Sequence, residues 1–315
     1  MKSEMEVPKG LRVRPPRIDD IKDVLAVMNA HEGIYGPEAR SLLDDLREGW
    51  TRPSFDLARD AWVVETEAGR IVAYIEVREL GKPRVESDGF VHPDFEGRGI
   101  GNLLLALAEE RARSAEARVE VNQRRDLLGS IFANNLAGVR LFEAGGFRCV
   151  RYFLHEEIHL DSASPPPVWP KGLTVRCLGP REPVAPVYEM VQEVFKDHWG
   201  QRHRDLEEWT HIWQAGNMDP TLWFIAESGG AIAGVSLCKM RDDVGYVGTL
   251  GVRRDFRRNG LGLALLQHSF LEFYRRGVST VRLDVDAENL TGATRLYQRA
   301  GMREVRRFAL YQKEL

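Results

Sequence analysis

Arg257-Arg258-Asn259-Gly260-Leu261-Gly262 is the stretch from which the fold of this chain can be read. It follows an apolar run, Tyr246 to Val252, that reads as a strand. It opens a segment, Leu261 to Arg276, whose apolar residues Leu263, Leu266, Phe270 and Phe273 recur at helical spacing. A strand that turns through two close glycines into a helix start presents unpaired N–H groups at the positive end of the helix dipole. That arrangement suits a pyrophosphate. Gly260 and Gly262 keep Cβ atoms away from such a ligand, and the two arginines add long-range attraction. The spacing lacks the third glycine of a dinucleotide fingerprint and the Gly-Lys-Ser/Thr ending of a triphosphate loop, so a phosphate-bearing ligand other than NAD or ATP is indicated.

The same shape occurs earlier, in Val91-His92-Pro93-Asp94-Phe95-Glu96-Gly97-Arg98-Gly99-Ile100-Gly101. Three further pairs of segments repeat in the same order. Leu11-Arg12-Val13-Arg14 answers Leu173-Thr174-Val175-Arg176, and Trp62-Val63-Val64-Glu65 answers Phe224-Ile225-Ala226-Glu227. Leu141-Phe142-Glu143-Ala144-Gly145-Gly146-Phe147 answers Leu296-Tyr297-Gln298-Arg299-Ala300-Gly301-Met302. The chain therefore reads as two copies of one unit, residues 1–160 and 173–315, joined by a Ser- and Pro-rich linker over 161–172. Each copy is long enough to bury its own core.

Composition fits two globular domains. The net charge is only −3, which gives no electrostatic footprint for nucleic acid. No apolar run is long enough to span a bilayer, and the first residues lack the apolar core of a secretory signal, so a cytoplasmic protein is expected. Cys149, Cys177 and Cys238 have no metal or redox spacing and read as buried free thiols. The three histidines His198, His203 and His211 follow no ligand pattern, and no metal is expected.

Within the second copy the elements alternate. Strands are expected at Thr174–Cys177, Leu222–Glu227, Ala231–Met240, up to Val252, at Thr280–Val285 and near Val305–Tyr311. Helices are expected near Val187–Phe195, at Leu206–Ala215, over the segment from Leu261, and from about Thr291. This is an α/β arrangement, an α+β sandwich whose mixed sheet carries helices on both faces.

Two motifs carry a family resemblance. Val252-x-Arg254-x-x-Arg257-Arg258-Asn259-Gly260-Leu261-Gly262 is similar to the acetyl-CoA loop of the GNAT N-acetyltransferases. Leu283 to Asn289, followed by Gly292-Ala293, Leu296-Tyr297 and Ala300-Gly301-Met302, resembles that family's second motif. The resemblance covers essentially the whole chain, as a tandem GNAT protein with two mixed, mostly antiparallel sheets. It implies acetyl-CoA as the acyl donor and transfer to an amine. It implies that the strand before the loop splays from its neighbour, so that the N–H groups of Leu250 and Val252 meet the pantetheine arm and the thioester oxygen. Gly251 either keeps that wedge open or makes a close packing contact. Arg257, Arg258, Asn259, Gly260, Leu261 and Gly262 would hold the pyrophosphate. Tyr297 would protonate the departing thiolate, since a phenol is protonated at neutral pH; on spacing alone it is also an ordinary helix tyrosine. Asn289 either bonds the pantetheine or caps the next helix.

The base is less defined. Thr249 stands where many family members carry a Glu. Asp284 and Asp286 share one strand face, with Asp286 the candidate base, and both could instead pair with Arg282 or Arg306. In the first copy, Glu96 stands for the loop arginine and Phe142 for the tyrosine, and the connection from Val121 to Asn134 reads as longer than that from Val285 to Asn289. The first copy is therefore expected to be catalytically inert. Trp199, Trp209 and Trp213 border the expected acceptor region, and Trp209 and Trp213 also read as a buried helical stripe. The expected acceptor is a small-molecule primary amine. The alternatives are a protein N-terminus or lysine, or a coenzyme-A-binding sensor without turnover; the oligomeric state is not legible.

Overall fold

The structure is a computed structural model that describes all residues except 1–5, 37–40, 81–83, 115–124, 180, 197, 201–204, 216–218 and 290–291, and the side chains of 211–215. Val121, His203 and Thr291 lie outside the described residues, as do the side chains of His211 and Trp213. The chain forms two compact units, Met1–Tyr152 with Arg307–Leu315, and Phe153–Arg306.

The first unit contains β1 (Leu11–Arg14), α1 (Ile21–Glu32), α2 (Leu43–Trp50), α3 (Leu57–Asp60), β2 (Ala61–Thr66), β3 (Ile71–Glu79), β4 (Arg84–Val91), α4 (Ile100–Ser114), β5 (Asp126–Phe132), α5 (Leu136–Ala144) and the start of β6 (Arg148–His159). The second contains the rest of β6, then β7 (Thr174–Cys177), α6 (Ala185–Phe195), α7 (Leu206–Ala215), β8 (Trp223–Ser228), β9 (Ala231–Arg241), β10 (Val244–Val252), α8 (Leu261–Arg275), β11 (Thr280–Asp286) and α9 (Ala293–Arg299). The last strand, β12 (Arg303–Glu314), starts in the second unit and runs into the first.

The strand order is β1-β2-β3-β4-β5-β12 in one unit and β6-β11-β10-β9-β8-β7 in the other. Pairing within each unit is antiparallel except between β4 and β5 and between β10 and β11. Each sheet thus takes in a strand from the other half of the sequence. β6 pairs with β11 from His159↔Thr280 to Phe153↔Asp286. β12 pairs with β5 from Phe308↔Phe132 to Glu314↔Asp126. A linker is expected over 161–172, whereas the compact units divide between Tyr152 and Phe153 and again between Arg306 and Arg307.

In the second unit β9 is buried on both faces, with Ala233, Val235, Leu237 and Cys238 all sealed from solvent. One face packs α6 and α7 through Val187, Met190, Val191 and Trp209. The other packs α8 and α9 through Leu261, Leu265, Leu266, Phe270, Phe273 and Tyr297. Trp209 is a core residue, edge-on to Trp223 at 5.6 Å, as a buried stripe requires.

The repeated motif near positions 142 and 297 has a local cause. Met302 N–H donates to the Tyr297 carbonyl and Gly301 N–H to Gln298, with Gly301 left-handed at φ 93°. Phe147 and Gly146 make the same two bonds to Phe142 and Glu143. This is the helix stop in which a left-handed residue lets the last carbonyls find donors. It fixes Tyr297 two residues before the end of α9, in the same core cluster as Met302.

Two expectations are corrected. The first copy's connection is the shorter one: only 133–135 separate β5 from α5, against 287–292 between β11 and α9, because β5 starts at Asp126 and lies well beyond Val121. Of the cysteines only Cys238 is buried; Cys149 and Cys177 are exposed because β6 and β7 carry them on solvent-facing positions. Burial pushes the Cys238 thiol up to about 11, opposed by hydrogen bonds from Ser236 and Ser269. A disulfide-exchange reagent is therefore expected to titrate two thiols of the native protein quickly and the third only after denaturation. Three fast thiols would show that β9 is not sealed.

Candidate active site

The site of the second unit starts from the parting of two strands. β10 and β11 pair at only three positions, ending at Tyr246↔Arg282. Beyond that point β10 pairs with β9 and β11 with β6. A bulge at Gly248, between Val247 and Thr249, re-aims β10 where the split opens. β4 runs along β3 from Val85 to Val91 without such a shift, so the two units differ here in backbone geometry.

The bulge and the split direct main-chain donors into the gap. Arg253 N–H donates to the Ala233 carbonyl on β9. Antiparallel ladders alternate, so the N–H groups of Leu250 and Val252 face the other side, where β11 has left. The Val252 carbonyl points the same way and accepts from Arg257 Nε at 2.9 Å. Gly251 faces the opposite layer. A Cβ there would meet Phe195 and Val194 at 3.4 Å, an ordinary contact.

After β10 a short 3₁₀ turn, Arg254–Phe256, leads into the loop. Arg258 and Gly260 are both left-handed, at φ 63° and 93°. Gly260 stands at the N-cap of α8 and brings no acceptor of its own; the Leu261 N–H donates to Asn259 Oδ1 at 3.3 Å. A turn with left-handed residues before an open helix start gathers N–H groups around a concave anion site, and these residues fit a pyrophosphate. The Cβ missing from Gly262 would lie 3.0 Å from Leu296 Cδ1, so this glycine also lets α8 and α9 approach. Gly97 and Gly99 are left-handed at the matching positions of the first unit, so its loop keeps the same backbone although Glu96 replaces the arginine. Gly260→Ala is expected to destabilise the protein by about 1–2 kcal/mol, the cost of a left-handed L-residue, and to weaken coenzyme binding. Denaturant unfolding and calorimetry of coenzyme A would check both; unchanged values would mean that the loop relaxes freely.

Tyr297 stands on α9, in the core cluster that also holds Leu261, Leu283 and Val285, and is buried. Burial, and then the charge of Glu156, push its phenol up to about 12. Glu156 is 1% exposed, sits opposite Leu283 in the ladder, and its Oε2 has no hydrogen-bond partner. Burial raises its carboxyl, and Glu304 adds to the shift. In the first unit the ring of Phe142 occupies the equivalent place, 2.5 Å from where a Cβ of Gly129 would be, edge-on to Phe147 and tilted against Tyr311.

The other sheet face carries a polar cluster. His155 Nδ1 lies 2.6 Å from Asp284 Oδ1, and the Tyr246 hydroxyl donates to Asp284 Oδ2 at 2.6 Å. Burial opposes ionisation of Asp284, but the contacts with His155 and Tyr246 hold its carboxyl below the usual range. Its partners are therefore a histidine and a tyrosine, not the arginines considered from the sequence; Arg282 pairs with Glu157 at 2.9 Å. Asp286 Oδ1 accepts the Glu288 N–H at 2.9 Å. Asn289 N–H donates to the Asp286 carbonyl. The residue capping α9 is Gly292, so the helix start is not Asn289. Asn135 does cap α5, accepting from Gly138 N–H at 2.8 Å.

His155 and Glu156 were not legible as site residues. They stand on β6, in the first half of the sequence, and only strand exchange brings them beside β11. Among the described residues no group of three or more His, Cys, Asp or Glu side chains is placed to hold a metal ion. None of their helices is long and apolar enough to cross a membrane.

Comparison with known proteins gives the same geometry a family. Residues 185–302 match the acetyltransferase (GNAT) family model, and 58–149 match an acetyltransferase (GNAT) domain model. The chain belongs to the GNAT acetyltransferases. Its two matches lie in tandem, one in each half. It is 28% identical over 311 residues to mycothiol acetyltransferase of Streptomyces bingchenggensis, covering 96% of this chain and 94% of the relative. It is 30% identical over 235 residues to mycothiol acetyltransferase of Streptomyces avermitilis, covering 71% and 68%. Among solved structures, a GCN5-related N-acetyltransferase from Sphaerobacter thermophilus superposes with a TM-score of 0.84 at 33% identity, covering 98% of this chain and 97% of that one. The GNAT domains and the acetyltransferase class of the chain rest on these matches.

Proposed function

We propose that the chain transfers the acetyl group of acetyl-CoA to a primary amine of a small molecule, with the second unit carrying the chemistry and the first a structural role. The observation that carries this reading is the bulged parting of β10 from β11, with a buried tyrosine on α9 and a left-handed turn at Arg258 and Gly260 leading into α8. In this reading Arg257, Arg258, Asn259, Gly260, Leu261 and Gly262 hold the pyrophosphate. Leu250 and Val252, on either side of Gly251, direct main-chain donors at the pantetheine and the developing oxyanion. Asn289, shortly after the end of β11, hydrogen-bonds the pantetheine arm in this reading. Tyr297 protonates the sulfur as the C–S bond breaks. Asp286, the last residue of β11, offers its carboxylate as an anchor or base for a cationic amine.

The relatives' name makes mycothiol, in its unacetylated form, the first acceptor to try. The exposed free thiols favour a reducing compartment such as the cytoplasm. The direct test measures thiol release from acetyl-CoA over a library of small amines, N-terminal peptides and lysine peptides. Release with a small amine alone supports the proposal. Release only with peptides replaces the acceptor class, and tight coenzyme binding without release from any amine leaves a sensor.

The inert role of the first unit has its own check. Phe142→Leu keeps an apolar residue in a packed site and is expected to leave turnover within about threefold of wild type. A loss as large as that of a Tyr297 variant would refute the division of labour.

A further inference from the structure

The cluster at the apex of the strand split has a chemistry that the proposed transfer requires and that Tyr297 cannot supply. An amine acceptor is an ammonium ion at neutral pH and must lose a proton before it can attack. The geometry points to His155 as the group that takes this proton, with Asp284 as its positioning residue. This rests on the reading of the second unit as an amine acetyltransferase.

Three observations converge. Tyr246 and Arg282 form the last β10–β11 pair, and Asp284 stands two residues further along β11, so the cluster sits where the gap begins. Leu283 and Val285 are in the core under α8 and α9, so Asp284 and its ladder partner His155 point to the opposite face, the one that carries α6 and α7. The side chains of His155 and Asp284 remain 23% and 41% exposed, whereas Glu156, next to His155 in sequence, is buried. Phenol and imidazole therefore address the split from its two faces, one for the leaving sulfur and one for the incoming nitrogen.

The hydrogen bonds assign the roles. Both Asp284 oxygens are engaged, Oδ1 by His155 Nδ1 and Oδ2 by the Tyr246 hydroxyl. A carboxylate held in its ionised form by two donors is a poor proton acceptor. It orients an imidazole well, because a ring that donates through Nδ1 carries its basic lone pair on Nε2. Imidazoles change charge near neutral pH, where a general base works best.

The surrounding charges are mixed. Arg241 stacks on the Tyr246 ring at 4.0 Å, Arg282 pairs with Glu157, Arg306 lies near Arg282, and Asp286 is two residues beyond Asp284.

The proton balance closes. The acceptor ammonium gives one proton to His155 Nε2, and from there it passes to solvent. The free amine attacks the thioester carbon, a C–N bond forms and the C–S bond breaks. The sulfur leaves with the bonding pair and takes the Tyr297 proton. The second nitrogen proton restores the phenol through water, so each ammonium consumed releases one proton net.

The test uses the full chain, acetyl-CoA and the library amine that the wild type turns over fastest. Thiol release is followed from pH 5.5 to about 10, the range that brackets imidazole titration. His155→Gln is expected to lower kcat/KM by about 10²-fold at pH 7 and to remove the acid limb of the profile. His155→Ala is expected to regain turnover when free imidazole is added, an effect that a purely structural role would not produce. Asp284→Asn is expected to lower kcat/KM by about tenfold. Calorimetric titration of coenzyme A into each variant confirms that the site is folded. An acid limb that survives His155→Gln, or one that disappears in Asp286→Asn instead, overturns the proposal while leaving the transferase reading intact. If Tyr297→Phe and wild type both release no thiol with any amine, it is the transferase reading itself that fails.

Discussion

Tyr297→Phe is expected to lower turnover by about 10²–10³-fold while leaving the affinity for coenzyme A nearly unchanged. The substitution removes one oxygen and keeps the ring that packs against Met302, and the Tyr297 carbonyl still accepts the Met302 N–H. The fold therefore has little reason to respond. What is lost is the donor for the sulfur anion. Burial and the neighbouring Glu156 push the phenol up to about 12, so it stays protonated across the working pH range. Rates measured to pH 10 should show no alkaline loss traceable to this group. Stability should follow the opposite course. An unfolded tyrosine ionises near pH 10, so the contribution is fully present below that value and is lost as pH climbs towards about 12. A Tyr297→Phe protein that retains turnover within about threefold would remove the phenol from the mechanism, and the search for the acid would move to other groups lining the gap.

Ending the chain at Arg306 is expected to unfold the first unit, although every residue of the first sequence repeat would still be present. The removed segment pairs with β5 over seven positions, from Phe308↔Phe132 to Glu314↔Asp126. It buries Ala309, Leu310 and Tyr311, and the Tyr311 ring packs tilted against Phe142 at 5.3 Å. Burying one large apolar side chain stabilises a fold by about 1.5–3 kcal/mol. Losing two of them, together with a full row of ladder bonds, removes a large part of the roughly 5–15 kcal/mol that holds a domain. The bare β5 edge would also invite aggregation. Ala309→Asp, which places a carboxylate on the same strand among core residues, should weaken the unit in the same direction. Differential scanning calorimetry reads both variants. A truncated protein that unfolds at the wild-type temperature would show that β12 is dispensable to the first unit.

Much of the second unit could be read along the chain. β7 and α7 fall at the expected residues, and β8, β9, β11 and α8 differ from expectation by a residue or two at their ends. These elements carry strong local signals, a periodic apolar face or a helix stop with glycine after it. The loop from Arg257 to Gly262 was visible for the same reason, since left-handed turns select glycine. Gly248 gave no such signal, because a bulge is defined by what lies opposite on β9. The burial of cysteines was misjudged for a related reason: composition does not say which face of a strand meets solvent. The pairing of Asp284 with His155 was equally hidden, since the two residues are far apart in sequence.

The sequence by itself determined the repeat, the glycine turn before α8 and the place of Tyr297 on its helix, because each depends on backbone preferences acting over a few residues. Only the tertiary structure decided which strands complete each sheet, where β10 and β11 part, and which acidic and imidazole groups gather at that point. Those features come from hydrogen-bonded ladders between distant segments. Their register is fixed by burying one side of each strand, and no local pattern encodes the identity of the partner.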